Sequence, residues 1–206
     1  MNQSPGCLDK EREAMLRAAL PVRSAAFRSL LAGRVASFGE IAAEARLTEA
    51  SARQAAENVA SVGMAELDEI GVVGMDGLTI RQTRHCINLA GIDLCTWCAY
   101  DIVGIVAALG SDATGLTRCG MCGRRIRVEI REGDPGGSLV FGWLPDEACS
   151  NVIAEFCPSA LLFCSSGDLE AWRHRSRGGT GESLNLRALA ERGREEWGQL
   201  VASPST

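Results

Sequence analysis

Hydrophobic positions recur near helical spacing at the start of the chain. Leu16, Leu20, Phe27, Leu30 and Leu31 predict one or two helices over residues 8–33, with Pro21 as a break and Gly33 as the stop. The stretch "SFGEIAAEARLTEASARQAAENVASVG" reads as helix, turn, helix. Ser37 with Glu40 forms a capping-box pattern, Thr48 opens the second helix, and Gly63 ends it. "AELDEIGVVGMDGLTI" then predicts a hairpin, with strands over 65–73 and 78–80 and Asp76-Gly77 as its turn. Two helices followed by a hairpin predict a winged-helix-like module over residues 20–82.

The second half has a different texture. "HCINLAGIDL" is strand-like, and "CTWCAYDIVGIVAALG" predicts an apolar helix closed by Gly110. "GRRIRVEI" alternates basic and apolar residues, as a half-exposed strand does. "GGSLVFGWLP" and "CPSALLFCSS" predict two further strands. "SGDLEAWRHR" and "LNLRALAERGREEWGQLV" predict helices, the first capped by Ser166 or Asp168. The fold class expected is α+β: an N-terminal helical, winged-helix-like module (1–82) packed on a C-terminal mixed β-sheet domain with flanking helices (83–206).

Composition narrows the function. The 206 residues are 46% hydrophobic and 23% charged, an ordinary globular balance with enough chain for a real core. The formal charge is −5, and Lys10 is the only lysine, so the basic footprint of a non-specific nucleic-acid binder is missing. The second helix of the winged-helix-like module carries Arg53, Gln54 and Asn58 but also Glu49 and Glu57, which is poor for DNA. No apolar run reaches the roughly 20 residues of a membrane span, and the first fifteen residues lack a signal core. A cytoplasmic protein is expected, with its nine cysteines mostly reduced. They are Cys7, Cys86, Cys95, Cys98, Cys119, Cys122, Cys149, Cys157 and Cys164.

Their spacing leaves several chemistries open. Cys98 and Asp101 are three apart, so on a helix they share a face. There the helix dipole favours a thiolate, and a thiolate beside a carboxyl keeps a proton on the carboxyl. The plain alternative is a buried small cysteine beside a surface aspartate. Cys95-x-x-Cys98 followed by Cys119-x-x-Cys122 is close to the spacing of a four-cysteine zinc site. Cys119 and Cys122 alone, in the knuckle-like "CGMCG", could hold an auxiliary zinc. A thioredoxin-like reading of "CTWC" requires a strand-to-helix junction in an alternating βαβ topology, and the topology read here does not alternate. His85 and His174 stand alone, with no HExxH, and no Walker loop is present.

"WCAYD" together with "FCPSALLFCSS" resembles the organomercurial lyase (alkylmercury lyase) family. The family places a cysteine and an aspartate in a W-C-A-x-D segment, and a second cysteine some 60 residues on in an F-C stretch. Here these are Trp97, Cys98, Ala99 and Asp101, then Phe156 and Cys157. "LLAGRVAS" before the helix-turn-helix, "GLTIRQT" and "LPDEA" follow the family order, so the resemblance covers the chain from about residue 18 to the last helix. The chain departs from the pattern at Pro158, where some members carry another cysteine, at Cys95, where an aromatic is common, and by adding Cys122 to Cys119.

The resemblance implies carbon–mercury bond protonolysis, with Cys98 and Cys157 as mercury ligands and Asp101 as the proton shuttle. Organic mercury is a soft cation and thiolates are its preferred ligands, so the implied residues suit the chemistry. It further implies organomercurial substrates, no required cofactor, and cytosolic thiols or a mercuric reductase as acceptor of Hg(II). It implies that the helical module acts as a packing partner covering the site. Two rivals come from other classes: a cysteine-rich, metal-sensing winged-helix regulator, and a zinc-stabilised binding protein without catalysis. The roles of Cys95, Cys119, Cys122 and Cys164 are not set by the sequence.

Overall fold

In the computed structural model, residues 8–137, 139–175 and 179–202 are described. Cys7, part of the "RGGTGES" turn and the last residues of the tail lie outside them. The N-terminal helical stretch is two helices, α1 (Lys10–Ala18) and α2 (Leu20–Leu31), parted at Ala19. Pro21 falls in the first turn of α2, where its missing N–H leaves no bond unmade, so it starts a helix rather than breaking one. After β1 (Ala36–Ser37) come α3 (Phe38–Ala45) and α4 (Glu49–Ser61). Both caps expected from the sequence are present. The Glu40 N–H donates to Ser37 Oγ at 3.2 Å while Glu40 accepts from the Ser37 N–H at 3.1 Å, and Thr48 accepts from the Ser51 N–H at 3.1 Å.

The single strand expected over 65–73 is two strands. Asp68 accepts from the N–H groups of Ile70 and Gly71, turning β2 (Ala65–Leu67) back onto β3 (Gly71–Met75). Asp76 and Gly77 both have positive φ (51° and 91°), as a two-residue hairpin loop requires, and lead into β4 (Leu78–Thr79). "HCINLAGIDL" is also a hairpin, β5 (Cys86–Leu89) and β6 (Ile92–Thr96), turned at Ala90-Gly91. It is followed by α5 (Ala99–Leu109), β7 (Ala113–Arg118), β8 (Arg125–Arg131), β9 (Asp134–Pro135) and β10 (Phe141–Pro145). A π-helical turn (Val152–Phe156), β11 (Leu161–Phe163), α6 (Ser166–Arg175), β12 (Gly181–Asn185) and α7 (Leu186–Ala202) complete the described chain.

The fold is α+β. Nine antiparallel strands form one sheet in the order β1-β3-β4-β6-β5-β7-β8-β9, with β2 joined to β3, and β11-β10-β12 form a second. The large sheet runs on across residue 82, where β4 pairs with β6 through Leu78–Thr96 and Thr79–Cys95. α5 is the core helix: Ala99 to Ala107 are all buried, the burial expected of a helix with no polar stripe. It packs against the large sheet, β11 and α7. The α5–α7 crossing is close because both helices carry glycine there. A Cβ on Gly193 would stand 2.2 Å from Gly104 Cα, and one on Gly104 would stand 2.4 Å from the Trp197 ring. This crossing seats Trp197 on Tyr100, ring centroids 5.3 Å apart. No described helix is long and apolar enough to cross a membrane.

Candidate active site

The segment "CTWCAYD" spans a strand-to-helix junction. β6 ends at Thr96, Cys98 is the N-cap of α5, and Asp101 is the third residue of the helix. The Asp101 carboxylate accepts from the Cys98 N–H at 2.8 Å, and Thr96 Oγ1 donates to the Cys98 carbonyl at 2.9 Å. Thiol and carboxyl are thus neighbours through a helix cap, not through a shared face within a helix. The turn at Gly77 lies against the same carboxylate. A Cβ there would come within 2.8 Å of Asp101 Cγ, and its φ of +91° already favours glycine. That turn is anchored twice. Arg23 of α2 holds Asp76 in a buried bidentate ion pair at 2.5 and 3.0 Å, and Trp197 Nε1 donates to the Asp76 carbonyl at 2.7 Å.

Cys157 arrives from the opposite side. It follows the π-helical turn, with its N–H donating to the Val152 carbonyl at 2.9 Å. The turn is capped by Asn151, which accepts from the Ala154 N–H at 2.9 Å, and pinned by the Val152 N–H to Val62 at 3.0 Å. Cys98 Sγ, Cys157 Sγ and an Asp101 carboxylate oxygen all lie within 4.8 Å of one another. The three residues are 0%, 6% and 5% exposed. Cys157 and Asp101 line a cleft of about 30 Å³ whose walls include Met64, Trp97, Tyr100, Val152, Phe156 and Trp197.

Burial sets the protonation of this group. It pushes the Cys98 thiol well above its ordinary range, and the neighbouring Cys157 thiol and Asp101 push the same way. The thiolate expected from the helix dipole is therefore overridden: loss of water outweighs a helix N-terminus. Asp101 is raised to about 7, first by burial and then by the Glu196 charge, against the lowering effect of its hydrogen bonds from Cys98 and Trp97. The proton that the sequence assigned to a thiolate neighbour is thus held chiefly by desolvation. Glu196 on α7, half-buried at the rim, is also raised to about 7 by burial, with the Tyr100 hydroxyl and Arg192 opposing.

The other cysteines do not join this group. The four-cysteine zinc clip is not formed, because Cys95, Cys98 and the Cys119–Cys122 pair go to three different places. Cys95 lies on β6 rather than in a helix, with its sulfur 3.7 Å from that of Cys86, its cross-strand partner. "CTWC" does sit at a strand-to-helix junction, and β6-α5-β7 is a crossover between two strands that run the same way on either side of β5, but the Cys95 sulfur meets Cys86 while Cys98 joins Cys157 and Asp101. Cys119 and Cys122 meet Cys164 and Asp168 instead, their ligand atoms again all within 4.8 Å. Against burial, which raises it, the N–H groups of Cys122, Cys164 and Met121 lower the Cys119 thiol below its ordinary range. His85 is buried and bonded to Thr117 at 2.8 Å, a satisfied core residue.

Residues 78–197 match the family model described as MerB, alkylmercury lyase. The chain belongs to the alkylmercury lyase family. The alkylmercury lyase of Pseudomonas putida is 33% identical over 113 residues, 52% of this chain and 52% of that one. That of Staphylococcus epidermidis is 30% identical over 138 residues, 65% of this chain and 62% of that one. The chain thus spans between half and two thirds of the length of these curated alkylmercury lyases. A solved structure, the mercury-bound form of MerB2, shares the fold with a TM-score of 0.83 at 21% identity, covering 94% of this chain and 98% of that one. Within the alkylmercury lyase fold seen here, the sequence pointed to Cys98, Asp101 and Cys157 but not to Gly77, Tyr100 or Glu196. Gly77 had a legible turn signal; Glu196 had none, because only the glycine crossing brings it near.

Proposed function

We propose that this chain cleaves carbon–mercury bonds by protonolysis. The observation that carries the reading is the convergence of two buried sulfurs and one proton-holding carboxyl, with Cys157 and Asp101 lining a largely apolar cleft. A soft R–Hg⁺ cation exchanges its carrier ligand X for one thiolate, and the thiol proton leaves with X. The second sulfur then adds to mercury and raises electron density on the bound carbon. Its proton passes through Asp101 to that carbon as the carbon–mercury bond breaks. The balance is R–Hg–X plus two thiols giving R–H, H–X and Hg(II) held by two sulfurs. Cys98 and Cys157 are the ligands and Asp101 is the proton carrier.

The cleft walls favour a small organic group and exclude bulk water, which keeps the proton on its path. Arg23, Met64 and the Asp76-Gly77 turn come from residues 1–82 and reach the cleft, so in this reading the N-terminal module covers the catalytic part, 83–206. Both sulfurs and the proton come from the chain itself. The thiols must stay reduced, as the cytoplasm allows, and Hg(II) would leave to small thiols or a mercuric reductase.

Headspace gas chromatography tests the reading. Methylmercury should yield methane, and phenylmercury benzene, one per mercury bound in a single turnover. Stoichiometric mercury binding with no hydrocarbon would overturn it.

A further inference from the structure

The second cysteine cluster stands apart from the proposed reaction. Cys119 and Cys122 flank the turn between β7 and β8; Cys164 follows β11 and Asp168 lies in the first turn of α6, 42 and 46 positions beyond Cys122. The turn is built as a knuckle. The Cys119 N–H donates to the Arg124 carbonyl at 2.8 Å, and the Gly123 N–H returns to the Cys119 carbonyl at 3.0 Å, with Gly123 at a φ of +69°. The Gly120 N–H donates to the Leu162 carbonyl at 2.9 Å, and a Cβ on Gly120 would come within 2.9 Å of Leu161 and Phe163. Glycine thus lets the knuckle lie directly on β11, whose next residue is Cys164. Asp168 is aimed by its own helix start, its N–H donating to Ser165 Oγ at 3.1 Å.

The spacings match one ion. A tetrahedral ion with metal–sulfur bonds of about 2.3 Å requires ligand atoms about 3.8 Å apart. Cys122 and Cys164 sulfurs are 3.9 Å apart, and Asp168 Oδ2 is 3.6 Å from both Cys119 and Cys122 sulfurs. Four donors so arranged close the coordination shell, as structural sites do, where the Cys98, Asp101 and Cys157 group supplies only three.

We propose that Cys119, Cys122, Cys164 and Asp168 form a second, structural metal site that binds one thiophilic divalent cation of the zinc class. It clips the β7–β8 turn to the start of α6. Cys164 is seven positions beyond Cys157, so the clip holds the segment that delivers the second sulfur of the cleft. Three thiolates select a soft or borderline metal over magnesium or calcium, and the carboxylate completes the four. The half-exposed position leaves an open route for the ion, since Cys122 reaches solvent.

Cobalt(II) titration of the reduced full chain tests this. One equivalent should give the intense visible bands of tetrahedral cobalt with sulfur-to-metal charge transfer, and one equivalent of zinc should abolish them. The Cys98→Ser/Cys157→Ser double variant should keep the spectrum, and Cys122→Ser/Cys164→Ser should lose it. Asp168→Asn should bind the ion at least tenfold more weakly with the fold intact by circular dichroism. The proposal fails if the reduced chain gives no tetrahedral spectrum, or if the spectrum follows Cys98 and Cys157. Hydrocarbon release plays no part in this test, so its outcome is independent of the reaction proposed above.

Discussion

The two cysteine clusters use nearly the same residues for different ends. Each joins sulfurs from distant segments to one aspartate, within the same 4.8 Å envelope. Cys98, Asp101 and Cys157 are sealed in the core, where burial keeps the Cys98 thiol protonated and lifts Asp101 to about 7. Cys119 sits in a nest of backbone N–H groups that lowers its thiol, and Cys122 is exposed. The difference teaches that residue type does not assign a thiol its role. At Cys98 desolvation outweighs the one N–H donor, that of Asp101, and the thiol keeps its proton; at Cys119 several N–H donors outweigh burial and lower the thiol.

The comparison breaks most sharply at the sulfurs of the buried group. Cys98→Ser and Cys157→Ser should each reduce hydrocarbon release to the uncatalysed background while cobalt binding at the other cluster stays at one equivalent. Substantial turnover in either variant would remove the two-sulfur reading.

Asp101→Asn comes next. It should still bind mercury, but single-turnover release should slow by roughly a hundred- to ten-thousandfold, the usual range for a lost proton carrier. The same variant reports on burial. The Asp101 carboxyl is raised from 3.8 to about 7, so the folded chain keeps a proton that the unfolded chain has released. Its stabilising contribution is complete below about pH 4 and drains away as pH rises to about 7. Stability of Asp101→Asn relative to the parent should therefore increase across that window in denaturant titrations. A flat difference would mean that the carboxyl is not desolvated in solution.

A smaller effect is expected at Gly77→Ala. The added methyl meets Asp101, and the backbone φ is unfavourable, so a loss of about 1–3 kcal/mol should appear in the unfolding midpoint. Least disturbing is Cys122→Ser. Its exposure predicts a metal-free stability within about 0.5 kcal/mol of the parent, together with loss of any zinc-dependent rise in Tm.

Much of the fold was legible because local chemistry dictated it. The Ser37–Glu40 box, the Thr48 cap, the Asp76-Gly77 turn and the Gly110 stop depend on residues within a few positions of one another. Several strands escaped notice, and for three of them the physical reason is plain. β2 and β3 read as one strand unless Asp68 is seen to bend the chain between them, β7 follows the Gly110 stop after only Ser111 and Asp112, and β12 is a polar edge pairing only with β10. Cys98 and Asp101 were readable as neighbours, though the contact is a cap rather than a helical face. Cys157 was reached by resemblance alone, since no local signal tells that a π-helical turn brings it to Cys98. Cys164 and Asp168 were beyond reach for the same reason: only β11 lying on the knuckle unites them with Cys119 and Cys122.

The glycine contact between α5 and α7 has a consequence for how the molecule is cut or extended. Trp197 and Glu196 are held over the cleft by the last helix, whose seat depends on two missing methyl groups. Removing that helix would unroof the cleft without touching Cys98, Asp101 or Cys157. Fusions or tags should therefore be judged by whether they let α7 dock, because that helix supplies the lid of this cleft.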